Sequence, residues 1–210
     1  MDLNKRQLEK HRKMYIEEFF KEENLKKIEA PNLPILFALK ELIIKKNDVI
    51  IDFGCGNGRD VNYLSRLGLN VKGYDKNIHL NMIHVGKDLF GNIPIYEGDM
   101  TKIQLPERSI DIFLFNSSFH YLKKENLEKF LEKIEKTAKP KARILISEFS
   151  EENPGCIKDL VRPGVCYAED LMKVFEKRKY KPIFEFKEDS EIGLLLNLGY
   201  EIKGKQGETK

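Results

Sequence analysis

The stretch Val49-Ile50-Ile51-Asp52-Phe53-Gly54-Cys55-Gly56-Asn57-Gly58-Arg59-Asp60 decides the fold. A short apolar run ends in a carboxylate, Asp52, and glycines follow at alternate positions, Gly54, Gly56 and Gly58, before the sequence turns helix-like. Such a pattern reads as a buried strand stopping at a tight turn. Glycine there adopts positive φ without penalty and lets a ligand approach the backbone. The helix that begins at once aims its unpaired N–H groups at the same spot. Strand, turn and helix together define a small-molecule pocket at the carboxyl end of a strand.

Spacing narrows the ligand. A dinucleotide fingerprint requires Gly-x-Gly-x-x-Gly, but Arg59 stands three positions after Gly56 and the third glycine comes one residue early. Asp52 also faces the wrong way electrostatically for a pyrophosphate. An acid before the first glycine suits a cationic group, an ammonium or a sulfonium.

Outward from this turn, apolar runs and helical periodicity alternate. Upstream, residues 1–30 are highly charged, with Leu8, Tyr15, Ile16, Phe19 and Phe20 on one helical stripe. Pro31 and Pro34 break that segment, and Leu36, Leu39, Ile43 and Ile44 outline a helix leading into a strand at 48–53. Downstream, helices at about 58–67 and 77–90 separate strands at 70–75 and 93–97. A strand at 110–116 precedes a helix carrying Leu127, Phe130, Leu131, Ile134 and Ala138, and 142–149 forms the fifth strand. Continuous apolar strands alternating with helices indicate a parallel sheet covered on both faces. Residues 150–166, with Pro154-Gly155 and Pro163-Gly164, read as a long loop. A helix at about 168–179 and strands at 182–187 and 194–202 complete the chain.

Length and composition set bounds. At 210 residues the chain fits one α/β domain, divided into a helical cap (1–46), a core (47–150) and a C-terminal acceptor-side segment (151–210). No apolar run approaches the roughly 18–20 residues of a membrane span, and the charged amino-terminal segment does not read as a secretory leader. Three cysteines make no disulfide framework, and Cys156 and Cys166 lack the spacing of a zinc site. No metal is expected, and a reducing cytoplasm fits best. Lys and Arg number 37 against 34 Asp and Glu, spread over the whole length, which describes a mixed solvated surface and not a nucleic-acid arm. The acceptor's identity and the oligomeric state are not written in the chain.

Three further strand ends carry chemistry. Asp75 closes the second strand about twenty residues after the glycine turn, where nucleoside-binding α/β folds place an acid on ribose hydroxyls; a helix cap is the plain alternative. Asp99-Met100 follows the third strand, and Asn116-Ser117-Ser118-Phe119-His120-Tyr121-Leu122 follows the fourth.

In order and spacing these motifs resemble the class I S-adenosylmethionine-dependent methyltransferases over roughly residues 45–150. Gly56-Asn57-Gly58-Arg59 and Tyr74-Asp75-Lys76-Asn77 look most like tellurite-resistance and related small-substrate members. The resemblance implies a seven-stranded, mostly parallel Rossmann-like sheet whose last strand is antiparallel. It implies S-adenosylmethionine as cofactor, held by Asp52, Gly54, Cys55, Gly56, Asn57, Gly58, Asp75, Lys76, Asp99, Met100 and Asn116, with Asp99 accepting from the adenine amine and Met100 against its ring. His120 and Tyr121, with Tyr15 and Tyr167, are the candidates for the acceptor side. The branch that methylates nucleobase amines carries an acid or amide, a proline pair and an aromatic at the fourth strand; Asn116 to Phe119 lacks both prolines. Lys139-Pro140-Lys141-Ala142 departs from the family's Pro-Gly-Gly turn. A small-molecule methyl acceptor is therefore expected, with neither nucleic acid nor membrane as partner. An RNA- or protein-directed methyltransferase and a non-catalytic cofactor-binding module are the rivals.

Overall fold

The computed structural model describes residues 31–76, 82–152, 166–190 and 193–203. The chain runs α1 (Leu33–Lys40), β1 (Val49–Phe53), α2 (Arg59–Arg66), β2 (Asn70–Asp75), α3 (Met82–Phe90) and β3 (Ile95–Glu97). It continues through β4 (Ile110–Asn116), a 3-10 turn (Phe119–Tyr121), α4 (Lys124–Thr137), β5 (Ala138–Phe149), α5 (Ala168–Lys177), β6 (Lys181–Ser190) and β7 (Gly193–Glu201). The helical stripe expected in 1–30 with Tyr15, and most of the expected 150–166 loop, lie outside the described residues.

One seven-stranded sheet has the order β3-β2-β1-β4-β5-β7-β6. Strands β1 to β5 pair in parallel, whereas β7 is antiparallel to both β5 and β6. The order reverses between β1 and β4, and the crevice beyond the carboxyl ends of strands at such a switch point is where open α/β sheets bind ligands.

Both faces are covered, which is why the strands read as continuous apolar runs. In β4, Phe113 and Phe115 enter one core with Phe53, Phe130, Leu131 and Leu171, beneath α4 and α5. Their neighbours Ile112 and Leu114 enter the other with Ile35, Ile50, Val61 and Leu64, beneath α1 and α2. Alternate residues point to opposite faces, so between Asp111 and Asn116 at its ends the strand is apolar on both sides. In α4 the buried residues Leu127, Phe130, Leu131 and Ile134 follow helical spacing and lie against the aromatic group, with Phe53 and Phe115 stacked at 5.5 Å and Phe130 edge-on to Phe115 at 5.8 Å.

Boundaries shift in a few places. The third strand is shorter than expected, because Gly91 to Pro94 form a turn in which the Ile93 N–H bonds the Gly91 carbonyl. Ala138 belongs to β5 and not to the preceding helix. It pairs with Ile110, and the ladder resumes at Arg143 opposite Ile112, so the residues between bulge out, with Lys141 at φ 64°. Pro140 falls in this bulge, where its missing N–H costs no ladder bond. Strand β6 extends beyond the expected 182–187 at both ends, since β7 offers a partner along its whole length.

Candidate active site

Glycine is required at the turn for separate reasons. Gly54, Gly56 and Gly58 have φ of 74°, 56° and 77°. A Cβ on Gly54 would lie 2.5 Å from Ser118 Cβ, and one on Gly58 would meet Ile95 and Ile93 at 2.7 and 2.8 Å. Those two allow close packing of the chain on itself. A Cβ on Gly56 would meet nothing within 4 Å, so that position faces open space. Cys55 packs its sulfur toward Gly73 of β2, where a Cβ would lie 2.7 Å away. Asn57 is buried and its carbonyl abuts Gly86 of α3.

Asp75 ends β2 beside this turn, and its Oδ2 accepts from the Gly56 N–H at 3.0 Å. The segment that follows, 77–81, where the helix was expected to begin, lies outside the described residues. Asp52 is 1% exposed at the carboxyl end of β1, and its Oδ1 has no hydrogen-bond partner. Burial, and then the neighbouring carboxylates Asp60 and Asp75, push its pKa well above the usual range, against a smaller pull from Arg59. A buried carboxylate oxygen without a donor, next to further carboxylates and an open glycine edge, fits a cationic ligand group.

Residues outside the expected set complete the arrangement. Asp60, in the first turn of α2, accepts from the Asn32 N–H at 3.0 Å, the Asn32 amide at 2.6 Å and the Asn116 amide at 2.6 Å. Arg59 donates to Asp60 at 3.4 Å and to the Asn32 side-chain oxygen. Asn116 thus directs its nitrogen into Asp60 at the switch point. Asp60 reads in sequence as an ordinary acid at a helix start, and Asn32 belongs to no motif. Only the structure brings them together.

On the other side, Asp99 Oδ1 accepts from the Thr101 N–H and hydroxyl at 2.9 and 2.7 Å, and Lys76 approaches Oδ2 at 2.9 Å. Partial burial would raise the Asp99 pKa, but these hydrogen bonds outweigh it and hold the carboxyl below its ordinary value. Met100 is half-buried against the core under α4, and its carbonyl accepts from Lys133 at 2.9 Å.

Beyond β4 the chain turns sharply at Ser117, a non-glycine residue at φ 48° whose N–H bonds the Ser147 carbonyl at 2.7 Å. Ser118 and Phe119 are buried, and Phe119 lies 4.4 Å from Phe115 between ring centroids. His120 follows, its Nδ1 3.0 Å from Oε1 of Glu148 near the end of β5. Its ring lies 4.2 Å from Tyr121, which is 65% exposed, and 5.3 Å from Phe149. Tyr167, partly buried, packs against Phe149 and Leu195. Glu148 was not expected from sequence, although a lone carboxylate inside the apolar run 144–149 is a legible signal. No group of His, Cys, Asp and Glu that could hold a metal occurs among the described residues, nor is any helix there long and apolar enough to cross a membrane.

The seven-stranded order, the antiparallel final strand and the glycine turn at the switch point define the class I methyltransferase fold. Residues 51–146 match the family of methyltransferase domains, and the fold is that of S-adenosylmethionine-dependent methyltransferases of known structure. No curated protein matches it. Among solved structures it is similar to a TehB-like S-adenosylmethionine-dependent methyltransferase from Corynebacterium glutamicum, at 20% identity and a TM-score of 0.63 over 93% of this chain and 98% of the other. It is also similar to the 1,6-didemethyltoxoflavin-N1-methyltransferase of Burkholderia thailandensis, at 16% identity and a TM-score of 0.64 over 97% and 92%. A methyltransferase from Aquifex aeolicus follows at 22% identity and a TM-score of 0.59 over 87% and 99%.

Proposed function

We propose that the chain methylates a small-molecule nucleophile by in-line displacement. The observation that carries a small acceptor is the burial of Phe119. Enzymes acting on a nucleobase hold it splayed out against aromatic side chains, whereas Phe119, the aromatic of the motif that follows β4, is packed into the core on Phe115 and Phe130. The balanced charge, 37 basic against 34 acidic residues, supports the same reading. So does the Burkholderia neighbour, which is by its name a methyltransferase for 1,6-didemethyltoxoflavin.

In this reading Asp75 takes the ribose hydroxyls of the donor and Asp52 its ammonium. The backbone from Gly54 through Cys55, Gly56 and Asn57 to Gly58 lies against it. Asp99, steadied by Lys76, meets the adenine amine with Met100 at the ring, and Asn116 lies under the methionine portion. The bound cofactor supplies a methyl carbon already activated by a sulfonium. The protein's own task is to align the acceptor, exclude water and, where the acceptor carries a proton, remove it. His120 is the base and Tyr121 and Tyr167 border the acceptor.

Methyl transfer from labelled donor to total RNA, DNA and a small-metabolite pool in parallel tests this. Label is expected in the metabolite pool alone. Salt-sensitive labelling of RNA with none in metabolites would establish the nucleic-acid reading, and bound donor with no labelled product would establish a binding module.

A further inference from the structure

Glu148 is a charged side chain with no exposed surface, set between Ser147 and Phe149 in a strand of isoleucine and leucine. Burying a carboxylate is costly unless its oxygens are satisfied, and here donors converge on both. Oε2 accepts from the N–H groups of Phe119 at 2.8 Å and His120 at 3.3 Å. Oε1 accepts from the Phe149 N–H at 3.0 Å and faces His120 Nδ1 at 3.0 Å. An acceptor-only group surrounded by N–H donors can be satisfied at its last position only if Nδ1 carries a proton. In a neutral ring the other nitrogen, Nε2, then has a free lone pair. The imidazole retains 18% of its side-chain surface in solvent, so that nitrogen is on a ring that a ligand can reach.

We propose that Glu148 is a positioning residue which holds His120 in the Nδ1–H tautomer, and that the methyl acceptor is a neutral O–H or N–H nucleophile whose proton Nε2 removes. This rests on the acceptor-side role of His120 given above and names the substrate class. In the step, the acceptor's lone pair forms a bond to the methyl carbon and the carbon–sulfur bond breaks with its electrons passing to sulfur. The acceptor's proton goes to Nε2. The resulting imidazolium lies beside the Glu148 carboxylate, and the proton then passes to solvent. Acceptors that attack as preformed anions need no such unit.

Glu148→Gln separates this role from a merely structural one. A glutamine in the same place keeps the most backbone bonds with its oxygen toward the Phe119 and His120 N–H groups. Its NH2 then faces Nδ1, which must become an acceptor, and the ring switches to Nε2–H. The comparable carboxylate-to-amide change beside the histidine of a serine protease lowers turnover by about 10⁴-fold through the wrong tautomer. Imidazole 15N chemical shifts, read at a pH where the ring is neutral, should report Nδ1–H in the wild type and Nε2–H in Glu148→Gln. Methyl transfer to the small-metabolite pool should fall by about 10²-fold or more, with S-adenosylhomocysteine affinity within about twofold, and Glu148→Asp should recover part of it. A wild-type ring in the Nε2–H form, or a folded Glu148→Gln variant with unchanged tautomer or unchanged transfer, would overturn the proposal. So would wild-type products methylated only on thiolate sulfur or another anionic centre. The wild-type tautomer needs no acceptor and is read even if Glu148→Gln fails to fold. Labelled RNA in place of metabolites would instead refute the small-acceptor function while leaving the tautomer result standing.

Discussion

Replacing Asp52 by asparagine should make the empty protein more stable and a poorer ligand for its donor. Asp52 Oδ1 is buried without a partner, and Asp60 and Asp75 oppose its ionisation. An isosteric amide leaves that position polar but removes the cost of ionising it in a buried site beside two carboxylates, about 1.4 kcal/mol for each tenfold by which the fold raises its proton affinity, so the variant should be the more stable at neutral pH. In a domain of this size each kcal/mol raises Tm by roughly 2–4 °C. The pH dependence has a definite sign. Because the folded pKa lies above the ordinary 3.8, the native state holds the proton longer. The stability this contributes is complete below the unfolded value and is lost as pH rises through the folded one. Wild type and Asp52→Asn should therefore melt alike near pH 4 and diverge toward neutrality, the variant being higher. Donor binding should move the opposite way. Loss of a charge-assisted hydrogen bond to an ammonium removes about 1.5–3 kcal/mol, a weakening of about tenfold to a hundredfold. Thermal melts across pH, with calorimetric titration of S-adenosylmethionine, measure both. A variant that melts lower at every pH and binds as tightly as wild type would refute a donor-ammonium role for Asp52.

Asp75→Ala should weaken S-adenosylmethionine binding by about tenfold or more in the same calorimetric experiment, since it removes a charged acceptor; NAD and ATP should bind far more weakly than the donor to the wild type. Gly56→Val should fold with modest loss yet fail to bind, because its Cβ enters open space while its φ of 56° disfavours a β-branched residue; circular dichroism and titration together decide it. Arg178, which joins Glu135 at 2.7 Å and Glu128 across the α4–α5 contact, is remote from the turn, so Arg178→Met should lose about 1–3 kcal/mol of stability in a urea melt and leave donor affinity unchanged.

The strand–helix alternation and the glycine turn were legible because each depends on local chemistry. An apolar run bounded by glycine has few other readings, and Asp75 lay at a distance set by one strand–helix–strand unit. What escaped was tertiary. Asp60 is drawn to Asn32 and Asn116 by the meeting of three segments, and no spacing rule links residues 32, 60 and 116. Glu148 meets His120 only through the parallel register that sets Asn116 beside Ser147. Lys139-Pro140-Lys141 stands where the family has a Pro-Gly-Gly turn, and the structure puts it in a bulge inside a longer strand, where the missing N–H is tolerated. Asn116 was expected to face the donor; its amide nitrogen is engaged by Asp60, which leaves its oxygen as the atom that can.

The central place of β1 has a consequence for how the chain folds. Its partner β2 arrives some twenty residues later, but the other edge is covered only when β4 arrives, with Ile50 beside Ile112 and the Val49 N–H bonded to Asp111 at 2.8 Å. Until then a strand of valine and isoleucine has an open side. Closing so long a loop is slow compared with forming local hairpins or helices, and unpaired apolar strands are what drives association of partly folded chains. During synthesis, β2 emerges before β4 and Glu148 later still. A nascent chain thus has the glycine turn well before it has a complete site, and the interval between them is when it is most exposed to aggregation.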